Sequence, residues 1–259
     1  MQVMASYEKA RLELMPERGN GVTTRDGQNV TIVHDKLRHE ILRGRIPAGE
    51  TSQAALARDL DVGRTPLREA IRMLQREGLV ISEPNRRLRI AELSPTDMEE
   101  LYVMRVALEG VAIRITVPNL GSEGIAELEG LMAQMDHYMR SEDHAGFRGP
   151  HHAFHARLVA AAGERVTSMI AQLFDHAERY RVNFGATRPE IWDQRRAEHR
   201  AIVDACAEVD AQLAVQKLTE HYGRTASLVF EGLGGDYDPQ RLRVALAAIA
   251  PGSESTLSA

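Results

Sequence analysis

Apolar positions in the first hundred residues follow a helical period three times and then switch to a strand period. Val33, Leu37, Ile41 and Leu42 share one helical face, which Gly44 and Pro47 bring to an end. Gln53–Leu60 repeats the pattern, with Leu56, Ala57 and Leu60 facing inward. After the short turn Asp61-Val62-Gly63, Thr65 reads as the N-cap of a third helix and Pro66 as its first residue, where a missing N–H costs nothing. Its buried stripe is Leu67, Ala70, Ile71 and Leu74, and Gly78 closes it. Leu79-Val80-Ile81, Asn85-Arg86-Arg87 and Leu88-Arg89-Ile90 then predict strand, turn and strand. Three helices followed by a hairpin make a winged helix-turn-helix.

Ser94-Pro95-Thr96-Asp97 is a helix-start signature and marks a boundary. Beyond it the pattern is helical throughout. Leu101, Met104, Leu108, Val111 and Ile115 share one face, and Ile125, Leu128, Leu131, Met132 and Met135 share another. Further helices are predicted near 145–162, 166–184, 188–207 and 210–231. The expected organisation is a flexible arm over 1–29, the winged helix over 30–93, an all-helical domain over 94–232 and a tail over 233–259 with one short helix at 239–249. The fold class is mainly α: an N-terminal winged helix-turn-helix plus a C-terminal all-α helical bundle.

Composition narrows the setting. The 259 residues are 43% hydrophobic and 27% charged, an ordinary balance for a soluble protein. A single cysteine, Cys206, allows no internal disulfide and fits a reducing cytosol. Glu8, Lys9, Arg11 and Glu13 interrupt any signal-peptide core, and no apolar run approaches the ~20 residues of a membrane span. A cytoplasmic protein without a membrane anchor is expected. The net charge of −5 is unevenly distributed: residues 29–93 carry +3 and the rest −8. That split suits a chain in which one part alone meets phosphates.

In a winged helix the third helix enters the major groove. Arg64, Thr65, Arg68 and Arg72 would project from its outer face, where arginine can bond guanine bidentately or clamp phosphate. In the wing, Arg86, Arg87 and Arg89 would reach the backbone or the minor groove. Histidines carry the second chemistry. The chain has ten. His151 and His152 lie four and three residues before His155, spacings that place rings on one helix face, as metal chelation requires. His199 and His221 sit on two later helices, and imidazoles converging from separate helices would bind a borderline divalent metal.

Gly63-Arg64-Thr65-Pro66-Leu67-Arg68-Glu69-Ala70, followed by Leu74 and Glu77-Gly78-Leu79-Val80, resembles the winged-helix domain of GntR-superfamily transcription regulators. The resemblance implies operator contacts by Arg64, Thr65 and Arg68. The sequence departs from the family pattern at Gly63, where Ser or Thr is usual, at Ala48, where proline is usual, and at Arg87, where the wing usually has glycine. Residues 95–231 resemble the ligand-binding domain of the FadR-like subfamily, the helical type called FCD. The residues that carry this are Met104-Arg105, Leu108-Glu109, Phe154-His155, Glu198-His199 and His221. Many members hold a divalent metal with one Asp and three His. Here His151 stands at the Asp position, which implies a four-His set of His151, His155, His199 and His221, with His152 the alternative to His151. Zinc is the expected metal, with nickel or manganese as alternatives. The resemblance further implies that Arg105 binds a small carboxylate effector, whereas the residues by themselves also allow a surface Arg105–Glu109 pair.

The expected function is a ligand-responsive bacterial transcription regulator, a repressor by analogy, acting as a homodimer on double-stranded operator DNA. A helical metal-dependent enzyme is the alternative. It lacks a His-Glu-x-x-His, a Glu-x-x-His, a phosphate loop and a Gly-x-Gly-x-x-Gly, so no enzyme activity is expected.

Overall fold

The computed structural model describes residues 29–82, 87–184 and 191–257. The chain divides into two compact units, with the break at Ala91–Glu92. All of the expected N-terminal arm over 1–29 except Asn29, and the wing residue Arg86, lie outside the described residues.

The first unit runs α1 (Val30–Leu42), β1 (Gly49–Thr51), α2 (Gln53–Leu60), α3 (Arg64–Arg76), β2 (Val80–Ser82) and β3 (Leu88–Ile90). Asn29 starts α1, its Oδ1 accepting from the Thr31 amide at 3.0 Å. Ser52 does the same for α2, accepting from Ala55 at 3.1 Å. Such a cap stabilises a helix by about 1 kcal/mol. Val33, Leu37, Ile41, Leu56, Leu60, Leu67, Ala70, Ile71 and Leu74 close a core that Leu79, Val80, Leu88 and Ile90 complete. Truncating a residue such as Leu67 to Ala would cost about 2–5 kcal/mol.

Two features differ from expectation. Helix α3 starts at Arg64, with Gly63 in extended conformation as its N-cap and no side-chain cap. Thr65 is therefore a helical residue and not the cap. Pro66 is tolerated as the third helical residue because none of the first N–H groups of a helix has an internal partner. The sheet also has a third strand. Its order is β1-β3-β2, all antiparallel, with both Gly49 and Val80 opposite Ile90. Leu88 and Ile90 point inward and Arg89 between them outward, the alternation a half-buried sheet requires.

The second unit is helical: α4 (Pro95–Thr116), α5 (Gly121–Arg140), α6 (His144–Leu158), α7 (Glu164–Asn183), α8 (Trp192–Ala207), α9 (Ala211–Gly232) and α10 (Gln240–Ile249). Ser94, Asp143 and Asp210 cap α4, α6 and α9 by accepting from amides three residues on. Helix α4 is central, packing against α7, α9 and α10. Its buried face is Met98, Tyr102, Arg105, Val106, Glu109, Ala112 and Ile113. The apolar stripe read from the helical period is largely outside: Leu101 is covered, but Met104, Val111 and Ile115 are 46%, 55% and 44% exposed. Helix α4 is apolar on nearly every side, so its period alone does not single out the core face.

The segment after Gly232, expected as a tail, packs into this unit. Leu242 and Leu246 of α10 are fully buried. The buried Glu99 of α4 accepts from the Arg241 amide at 2.7 Å, the Leu242 amide at 3.2 Å and the Tyr237 hydroxyl at 2.6 Å. A carboxylate from a neighbouring helix thus serves the N-terminus of α10, where amides lack partners and negative charge is favoured. Gly110 of α4 makes room for α10, since a Cβ there would lie 2.5 Å from Ile249 Cγ2. Among the described residues, no helix is long and apolar enough to cross a membrane.

Candidate metal centre and nucleic-acid interface

Four imidazoles meet inside the helical unit. His151 and His155 stand one turn apart on α6, His199 is on α8 and His221 on α9. One ring nitrogen from each lies within 4.8 Å of the others, and all four residues are buried. His152 is outside the group: it turns toward Asp175, 4.0 Å away, and meets the edge of Phe174.

The donor set fits a divalent metal. His151 Nδ1 and both nitrogens of His199 are buried and have no hydrogen-bond partner among the described residues. Buried polar atoms are normally satisfied, and orphans clustered together point to a missing ion or ligand. Nitrogens about 2.0–2.1 Å from one metal lie roughly 3–4 Å from each other, so a small inward movement closes the cluster. Burial drives the pKa of His151, His155 and His199 well below the usual imidazole value, and the neighbouring rings and arginines reinforce it. These rings are therefore neutral near pH 7, the form that donates to a metal.

Partners behind the rings set their orientation. His221 Nδ1 lies 2.8 Å from Glu198 Oε2. The Tyr222 hydroxyl donates to Glu109 Oε2, so its oxygen accepts from His155 Nδ1 at 3.2 Å. In both cases Nε2 is left as the lone-pair nitrogen. A carboxylate behind a ligating imidazole is a recurrent support in metal sites. Glu198 and His199 are adjacent, yet Glu198 serves the His of another helix. Burial raises the Glu198 carboxyl, but His221, Arg195 and Arg224 outweigh it and hold it at about 2.

The same histidines line a narrow cavity with Tyr102, Trp192 and three buried arginines, Arg105, Arg181 and Arg195. Arg105 Nε donates to Glu109 at 2.7 Å, so the i, i+4 pair exists, but it is buried rather than at the surface. The Arg105 guanidinium stacks 4.4 Å from the Tyr222 ring centre, and its Nη2 has no partner among the described residues. Sequence reasoning missed Arg181 and Arg195, because arginine between apolar positions reads as surface. The available signal was Arg195 lying four residues before His199, on the same helix face.

In the first unit the outward side of α3 is basic. Arg64, Thr65, Arg68 and Arg72 are all exposed, opposite the buried Leu67, Ala70, Ile71 and Leu74. Glu69 lies 3.1 Å from Arg72 and 3.5 Å from Arg68, exposed pairs worth about 0–1 kcal/mol and readily exchanged for phosphate. Arg87 is exposed at the start of β3, 3.6 Å from Glu50. At the rear of α3, Glu77 accepts from His34 at 2.5 Å and from Arg38 at 2.8 Å, pinning α1 to the end of the reading helix.

A winged helix with a basic reading face, joined to a helical domain with a buried polar cavity, defines a DNA-binding transcription regulator. Residues 30–90 match the family described as bacterial regulatory proteins, gntR family, and residues 100–224 match the FCD domain. The chain is 31% identical over 190 residues to a probable D-xylose utilization operon transcriptional repressor of Paenarthrobacter nicotinovorans, covering 73% of this chain and 83% of that protein. It is 24% identical to the transcriptional repressor GlaR of Escherichia coli, covering 77% and 95%. The solved structure of E. coli McbR/YncC shares the fold, with a TM-score of 0.67 at 19% identity, covering 82% of this chain and 99% of that one. The chain belongs to the GntR family of transcription regulators, in the FadR-like branch that carries an FCD domain. Its relatives are regulators and not enzymes.

Proposed function

We propose that this protein is a repressor that binds operator DNA as a homodimer and responds to a small carboxylate held beside a divalent metal. The carrying observation is that one buried cavity holds four neutral imidazoles and guanidinium donors without partners. His151, His155, His199 and His221 would hold the metal, zinc in first place, with nickel or manganese as alternatives. Bound there, the ion supplies an electrophilic position for a carboxylate oxygen. Arg105 presents Nη2 to the same carboxylate and is kept charged by Glu109. Arg64, Thr65 and Arg68 read the operator, Arg72 and Arg87 neutralise phosphate, and Arg86 adds to the wing.

Dimerisation is supported by the uncovered stripe of Met104, Val111 and Ile115, with the half-buried Leu108 between them. A contiguous apolar face on a helix fits a second copy applied through a two-fold axis, the symmetry a palindromic operator presents. Acid binding then shifts the population between DNA-competent and incompetent dimers.

The test is a gel shift on the promoter of the protein's own operon, with metal-loaded protein and a panel of small acids. Wild type should bind, and one acid should release it. Arg64→Ala with Arg68→Ala should weaken binding by at least about 30-fold, at about 1–3 kcal/mol per contact, without changing metal content. Unchanged DNA affinity in the double variant would sink the reading.

A further inference from the structure

Three buried arginines line the cavity, but they are not equally satisfied. Arg105 donates to Glu109 at 2.7 Å. Arg181 grips Glu178 with two bonds, at 2.6 and 2.5 Å. Arg195 has no such carboxylate. Its Nη1 donates to the Thr225 hydroxyl, and its closest acid, Glu198 Oε2, is 3.9 Å away and already bonded to His221. The other oxygen of Glu198 takes Arg224 at 2.7 Å. Arg195 Nη2 has no partner among the described residues, although the residue is only 7% exposed. Burial pulls down all three guanidinium pKa values. Glu109 and Glu178 more than restore Arg105 and Arg181, while Glu198 does not restore Arg195.

A buried charge whose nearest carboxylate is distant and already shared is poorly compensated, so it marks a place where a bound group completes the structure. Among the described residues the only carboxylate lining this cavity is Glu178, which Arg181 and Arg148 already occupy. An anion in direct contact with Arg195 would therefore come from outside. Arg195 precedes His199 by one helical turn on α8, so the two side chains start about 5–6 Å apart on one face.

We propose that Arg195 is a second anion anchor, and that the acid bound in this cavity is a short dianion. One carboxylate lies at the histidine cluster beside Arg105, and the other bonds Arg195 and Thr225. This rests on the carboxylate reading above and narrows it to acids whose two carboxylates are separated by one to three carbons. Four neutral ligands leave a divalent ion's charge uncompensated, so both ends of the cavity favour negative charge.

Calorimetric titration of the metal-loaded full-length protein tests this. Malonate, succinate and glutarate are compared with propionate, butyrate and valerate, which match them in length but carry one charge. At least one dianion should bind about 10- to 100-fold more tightly than its matched monoanion, as expected for a charge-assisted bond to a buried group. Arg195→Gln should remove most of that ratio while leaving monoanion affinity and metal content within about two-fold. Arg195→Lys, which keeps the charge, should retain part of it and checks that the site survives substitution. Equal binding of the two series by wild type overturns the dianion while leaving the carboxylate reading intact. Binding of no acid at all removes both. A ratio that persists undiminished in Arg195→Gln places the second charge elsewhere and overturns the role of Arg195.

Discussion

The two units treat charge in opposite ways. In the winged helix the functional cations are exposed and loosely paired: Arg68 and Arg72 share Glu69, and Arg64 lies open. In the helical unit they are buried, stacked on aromatic rings and partly without partners. The difference suits the two proposed ligands. A DNA backbone offers many phosphates and rewards mobile, solvated cations through counterion release. A single small acid rewards donors fixed in advance in a place water barely enters, where each bond is worth more. On the proposed function, one unit would recognise by accumulation and the other by fit.

The largest effect should separate the two most cleanly. His199→Ala with His221→Ala should lower bound divalent metal from about one ion per chain to near zero by elemental analysis. Operator affinity of the acid-free protein should stay within a few-fold. Metal retained at half or more of the wild-type level would mean these imidazoles are not the ligands.

A smaller effect should come from behind the rings. Glu198→Gln keeps the shape but weakens the hold on the His221 ring and the support for Arg195 and Arg224. Metal affinity should fall by about 10- to 100-fold. Unchanged affinity in competition with a chelator would show that Glu198 only packs.

The smallest effect is also the most discriminating, because it runs in opposite directions in the two units. The hydrogen bond to Glu77 raises the pKa of His34 against the opposing effect of burial. Its stabilisation is full below pH 6.5 and is lost as pH rises through the raised value. For His151, His155 and His199 burial lowers the folded pKa, so their stabilisation is full above pH 6.5 and is lost as pH falls. Metal-free protein taken from pH 7.5 to 5.5 should therefore lose hydrogen-exchange protection in α6, α8 and α9. The slope is bounded at about 1.4 kcal/mol per pH unit for each histidine. Protection in α1 and α3 should hold or rise. Parallel loss in both units would contradict the assignment of these charge states.

How much of this was legible in the sequence follows from how local each feature is. The three helices and the hairpin of the first unit were legible, because Leu37, Leu56, Leu67 and Leu74 repeat at the helical period and Leu88-Arg89-Ile90 alternates. Strand β1 was not, since Gly49-Glu50-Thr51 is too short to show a period and gains its order from β3. The start of α3 was misplaced because the backbone cost of Pro66 is the same at any of the first helical positions. In the helical unit, the spacing of His151 and His155 was visible. Their meeting with His199 and His221 depends on three helices packing together, which no period encodes. The poor compensation of Arg195 is less local still, since it depends on what Glu198 does for Gln194, His221 and Arg224.

The contact between Glu99 and the start of α10 has a practical consequence for modularity. The FCD match covers residues 100–224, yet Glu99 lies one residue before it and Arg241 and Leu242 well after it. A chimaera that grafted only the matched stretch onto another DNA-reading head would discard both halves of this clasp and bare the wall that Leu242 and Leu246 cover. The piece to transplant is the longer one, residues 92–257, and its borders are drawn by a carboxylate rather than by sequence likeness.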